Sequence, residues 1–76
     1  MNQALMEILV TDLTLDPHQL RPQARLEDAG LDSLALVELG LLLHERSGVQ
    51  IGEDVLSSAT TLGALDQLVE ELLAGR

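Results

Sequence analysis

Wound as a helix, the stretch from Leu34 to about Arg46 is apolar over most of its circumference, through Leu34, Leu36, Val37, Leu39, Leu41, Leu42 and Leu43. Such a helix is either covered on two sides or shows one side to a partner. The chain has 76 residues, and so short a protein hides little of its surface, which makes full burial of one helix the poorer solution. Helical spacing separates two stripes. Leu36, Leu39, Gly40 and Leu43 fall on one, predicted to face the core; Leu34, Val37, Glu38, Leu41 and Glu45 fall on the other, predicted to face outward.

Two further helices follow from the same periodicity. Leu5, Met6, Ile8, Leu9, Val10 and Leu13 recur at three- and four-residue spacings, predicting a helix over Gln3–Leu13. It should end near Thr14, because Asp16 precedes Pro17 and a residue before proline is pushed out of the helical region. Leu65, Leu68, Val69, Leu72 and Leu73 predict a last helix from Leu62 to about Ala74, entered through the hydroxyl caps of Ser58-Ala59-Thr60-Thr61. Gly48 suits the left-handed cap that closes the middle helix. Val49-Gln50-Ile51 reads as a short extended piece and Glu53–Leu56 as a single helical turn. The connection from Thr14 to Leu31 is long, with a capped turn at Asp16-Pro17. Its scattered leucines, Leu15, Leu20, Leu26 and Leu31, suggest that it lies across the helices. The expected fold is all-α: four helices, a long loop between the first and second, and a short third.

Composition narrows the function. With no cysteine, no thiolate metal site, thiol chemistry or disulfide framework is available. Thirteen acids against four arginines and no lysine give a formal charge of −9, which repels nucleic acid and anionic membranes and attracts basic patches on partner proteins. The N-terminus lacks a basic region ahead of an apolar run, so it is no signal peptide, and no apolar stretch is long enough to cross a bilayer. A soluble, cytoplasmic protein is expected.

Little here supports catalysis. Ser33 has no histidine within six residues, and His18 and His44 lie in different segments, so no serine–histidine–aspartate arrangement is proposed. Neither histidine has ligand spacing for a metal, and the acids around Glu27, Asp28, Glu53 and Asp54 do not follow a calcium loop. Serine is a preferred N-cap. Asp32 can equally be the cap, leaving Ser33 in the first turn with its hydroxyl toward solvent; a phosphodiester formed there would sit at the positive end of the helix.

Glu27-Asp28-Ala29-Gly30-Leu31-Asp32-Ser33-Leu34, followed by Val37-Glu38-Leu39, resembles the phosphopantetheine attachment segment of acyl carrier proteins. There a serine in an Asp-Ser-Leu motif begins the second of four helices. The resemblance extends over nearly the whole chain. It implies that residues 1–76 form one acyl carrier domain that catalyses nothing itself. Ser33 would carry 4′-phosphopantetheine, transferred from coenzyme A by a phosphopantetheinyl transferase, and acyl groups would ride on the terminal thiol as thioesters. Asp32, Leu34, Val37, Glu38, Leu41 and Glu45 would form the surface gripped by an acyl-loading ligase or acyltransferase and by a ketosynthase or tailoring enzymes. A monomer is expected.

Departures from the family pattern sharpen the expectation. Ala35 and Leu36 stand where many fatty acid carriers have an acid and a small polar residue. Gly40 replaces a larger aliphatic on the core face, and Ser47 stands where an aromatic residue is frequent. Gly40 and Ser47 either leave room for an acyl chain or are compensated by the extra leucines. Together with arginine in place of lysine, these departures point to a free-standing carrier of polyketide-type specialised biosynthesis, a reading that also takes Met1 as an initiator. Alternatives are an aminoacyl or peptidyl carrier, against which Glu38 argues, and a housekeeping fatty acid carrier. From another class, an acidic helical adaptor would explain the charge but not the serine.

Overall fold

The computed structural model describes residues 2–75; Met1 and Arg76 lie outside that description. Four helices appear in the expected order: α1 (Gln3–Glu7), α2 (Ser33–Ser47), α3 (Glu53–Leu56) and α4 (Leu62–Ala74).

The Asn2 side chain caps α1 by accepting from the Leu5 N–H at 3.1 Å. The helix does not stay α over the expected length: Ile8–Asp12 forms a π-helical turn. Leu13 N–H donates to the Ile8 carbonyl and Leu15 N–H to the Leu9 carbonyl, both at 2.9 Å. A wider turn takes up extra residues per revolution. Beyond it Leu13 and Leu15 reach the edge of the core, where both are half-buried. Thr14, at φ +54°, ends the segment.

The long connection is held down. Asp16 caps a 3-10 turn at Pro17–Gln19 by accepting from His18 N–H at 3.0 Å, and Leu20, Leu26 and Leu31 are buried. Its middle is stitched to the start of α4: Leu62 N–H donates to the Ala24 carbonyl at 2.9 Å and Gly63 N–H to the Pro22 carbonyl at 2.8 Å. Arg25 and Thr61 form an antiparallel bridge. Two N–H groups that a helix start leaves without intrahelical acceptors are thereby satisfied by the loop, while Thr61 caps the helix by accepting from Ala64 N–H at 3.2 Å.

The core is aliphatic throughout. Leu5, Ile8, Leu9, Leu39, Leu43, Leu56, Leu62, Leu65 and Val69 are fully buried and draw on all four helices. The inward stripe of α2 is the expected one, Leu36, Leu39, Gly40 and Leu43. Neither expectation for Gly40 holds. A Cβ at that position would lie 2.7 Å from the Ile51 carbonyl oxygen and 3.6 Å from a Leu56 methyl. The missing side chain admits the backbone of the 49–51 segment, which fills the space itself, so glycine here leaves no room for cargo and needs no leucine in compensation. Ser47 is likewise in use: its hydroxyl donates to the Leu43 carbonyl at 2.6 Å and accepts from Val49 N–H at 3.2 Å, holding the exit from α2.

Candidate functional site: the start of α2

The segment leading to Ser33 is a single helical turn closed by a double bond pattern. Leu31 N–H donates to the Leu26 carbonyl at 2.8 Å and Gly30 N–H to the Glu27 carbonyl at 3.2 Å. This is the Schellman arrangement, which needs a left-handed residue at its penultimate position and pairs apolar residues five apart. Gly30 supplies φ +94°, and Leu26 and Leu31 are both buried. The glycine and the two leucines thus fix the direction in which the chain enters Asp32 and Ser33. Sequence reading treated Gly30 only as part of a motif; the signal available was Leu26 and Leu31 flanking it at the Schellman spacing.

Asp32 caps α2, its Oδ1 accepting from Ala35 N–H at 2.8 Å. Ser33 is therefore the first residue of the helix, one earlier than the expected start at Leu34, and it is exposed. The capping work falls to Asp32, which leaves the Ser33 hydroxyl free of that role beside the positive end of a fifteen-residue helix.

Running from Ser33 along the outer face of α2, Leu34 is 67% exposed, Val37 43% and Leu41 61%. Glu38 and Glu45 are exposed on the same stripe, and Asp32 is exposed at its head. Exposed leucines at this level form an apolar strip framed by acids. One exposed hydrophobic was not legible in the sequence: Val55 on α3 is 39% exposed. A four-residue element carries too little periodicity to show which side chain faces out.

A cleft of about 860 Å³ opens beside Ser33, between residues 25–27 and 31–36 on one side and 57–61 on the other. Leu26, Leu31 and Leu36 form its floor, and Arg25, Thr60 and Thr61 stand on its rim. Sequence reading had Thr60 and Thr61 only as caps and gave Arg25 no part, because Arg25 and Thr61 are 36 positions apart in the chain and meet only where the loop pairs with the start of α4. His18 and His44 are exposed in separate elements. Among the described residues no cluster of His, Asp or Glu is placed to hold a metal, and no helix is long and apolar enough to cross a membrane.

A helical bundle with an exposed serine at a capped helix start and an apolar–acidic strip beside it is suited to presenting a modified residue to other proteins. Residues 3–69 match the family described as the phosphopantetheine attachment site. The chain is 38% identical over 66 residues to the acyl carrier protein MbtL of Mycobacterium tuberculosis, covering 86% of this chain and 79% of the relative. It is 39% identical over 66 residues to the MbtL of Mycolicibacterium paratuberculosis, covering 86% of this chain and 74% of the relative. To the acyl carrier protein of Wolinella succinogenes it is 28% identical over 67 residues, covering 87% of this chain and 88% of the relative. No solved structure matches significantly. The protein belongs to the acyl carrier proteins of the phosphopantetheine-attachment family.

Its prosthetic group is accordingly 4′-phosphopantetheine, installed by a phosphopantetheinyl transferase, and its role is to hold acyl groups for biosynthetic enzymes to act on, not to catalyse. The residues at the start of α2 fit that group: a hydroxyl open to solvent, a helix end that favours an anion, and a cleft with room for an arm.

Proposed function

We propose that Ser33 is the attachment residue and that the chain acts as a free-standing, monomeric acyl carrier of polyketide-type specialised biosynthesis in the cytoplasm, residues 1–76 working as one domain. The observation that carries the attachment is the division of labour between two adjacent residues: Asp32 makes the cap at 2.8 Å, and Ser33, relieved of it, stays exposed. When bound, the group supplies a thiol that holds acyl chains as thioesters. Ser33 contributes its oxygen to the phosphodiester; its neighbours Leu34, Val37, Glu38 and Leu41, with Asp32 and Glu45, form the surface on which the transferase and the acyl-loading, ketosynthase or tailoring enzymes dock. Basic patches on those enzymes meet the acids, and the exposed leucines set the register.

The specialised reading is supported by Ala35 and Leu36 beside the serine, which weaken the charge there. Glu38 on the docking strip disfavours a peptidyl carrier.

Incubation with coenzyme A and a permissive phosphopantetheinyl transferase tests the assignment by intact mass. One added arm is expected on the parent chain and none on Ser33→Ala. An unmodified parent, or a Ser33→Ala chain that still gains the arm, would overturn it.

A further inference from the structure

Resting on the assignment of Ser33, we propose that the cleft between residues 25–27 and 57–61 is the resting site of the phosphopantetheine arm, with Arg25 as the ligand of its phosphodiester. The leucine core offers the arm no comparable place. The position where α2 lacks a side chain, Gly40, is already filled by the Ile51 carbonyl, and the side chains behind it, Leu39, Leu43 and Leu56, are buried to within 1%. The cleft, by contrast, begins at Ser33 and is open to solvent along its rim.

Its chemistry matches an amphipathic chain. Pantetheine alternates amides and a hydroxyl with a dimethyl carbon and methylenes, so it needs polar partners along one side and apolar surface along the other. Thr60 and Thr61 offer hydroxyls on the rim, and the edges of Leu26, Leu31 and Leu36 offer the apolar floor. Arg25 is anchored by its backbone bridge to Thr61, so its side chain starts from a fixed point on the same rim.

Arg25 is also available for a new partner. Arg46 is occupied by Glu7 at 2.9 Å and Asp12 at 3.5 Å, whereas Arg25 has Glu27 at 3.7 Å with side chains 73% and 74% exposed. A solvated pair at that distance is worth little. A phosphodiester carries a permanent negative charge and suits the bidentate guanidinium fork. Glu27 and Asp32 also face the cleft and would repel that charge unless Arg25 intervened.

The test compares ¹H–¹⁵N spectra of unmodified and modified protein, each state verified by intact mass, for the parent and for Arg25→Gln. On modification the amides of Thr60 and Thr61 and the Arg25 side-chain Nε–H should shift, with Leu39, Leu65 and Val69 unmoved. In Arg25→Gln, whose unmodified spectrum should match the parent elsewhere, the Thr60 and Thr61 shifts should fall by more than half. Shifts confined to residues 32–34, shifts reaching Leu39 or Leu65, or the same cleft shifts in Arg25→Gln would each overturn the proposal while leaving Ser33 as the attachment point. Absence of the added mass would instead overturn the attachment, and this proposal with it.

Discussion

The glycine at position 40 shows how one atom decides the packing of two elements. Alanine in mid-helix is favoured over glycine by about 1 kcal/mol, so propensity alone predicts that Gly40→Ala stabilises α2. The Ile51 carbonyl oxygen 2.7 Å from the would-be Cβ predicts the reverse, because backbone held by its neighbours cannot turn aside as a flexible side chain can, and overpacking costs roughly 1–3 kcal/mol. The expected outcome is a net loss of about 1 kcal/mol in urea unfolding, the overpacking cost exceeding the propensity gain. A midpoint raised by the propensity gain would mean that α2 and residues 49–51 part freely. Asp32 and Ser33 teach a parallel lesson: both are good caps on propensity, and only the Asp32 Oδ1 bond to Ala35 N–H separates the capping residue from the exposed one.

The elements differ in what holds them. α2 and α4 have fifteen and thirteen residues and capping side chains at their starts. α3 has four residues, no side-chain cap bond, and one buried residue, Leu56. Local stability follows buried contacts and protected backbone bonds, so amide exchange at Val55 and Leu56 should run at least tenfold faster than at Leu39, Leu65 or Val69 when followed by mass spectrometry or NMR. Equal protection would show that α3 opens only with the whole fold. Because α3 carries both the exposed Val55 and the buried Leu56, its local opening would move a surface side chain and loosen the core beneath it.

Across the whole molecule, charge and shape act at different ranges. A formal charge of −9 draws a basic partner in over a Debye length of about 8 Å at physiological salt, and the exposed Leu34, Val37 and Leu41 engage only on contact. The transferase's rate on this chain should therefore fall severalfold between low and high salt, and Glu38→Lys should lower kcat/KM most at low salt, while Leu41→Ala should cost a similar factor at both. A Glu38→Lys effect independent of salt would place that residue in direct contact rather than in steering.

The sequence by itself determined the helices, their order, the inward and outward stripes of α2 and the place of Ser33 at the start of that helix, because each rests on periodicity and caps within a few neighbouring residues. It also carried the family, through the run from Glu27 to Leu39. Only the tertiary structure decided the π-helical widening of α1, the filling of the Gly40 position and the cleft beside Ser33. The last two depend on residues far apart in the chain: Ile51 lies eleven residues beyond Gly40, and Arg25 meets Thr61 where the loop carbonyls of Pro22 and Ala24 accept from the first N–H groups of α4. Local rules hold no information about such meetings, which are settled by how the elements pack.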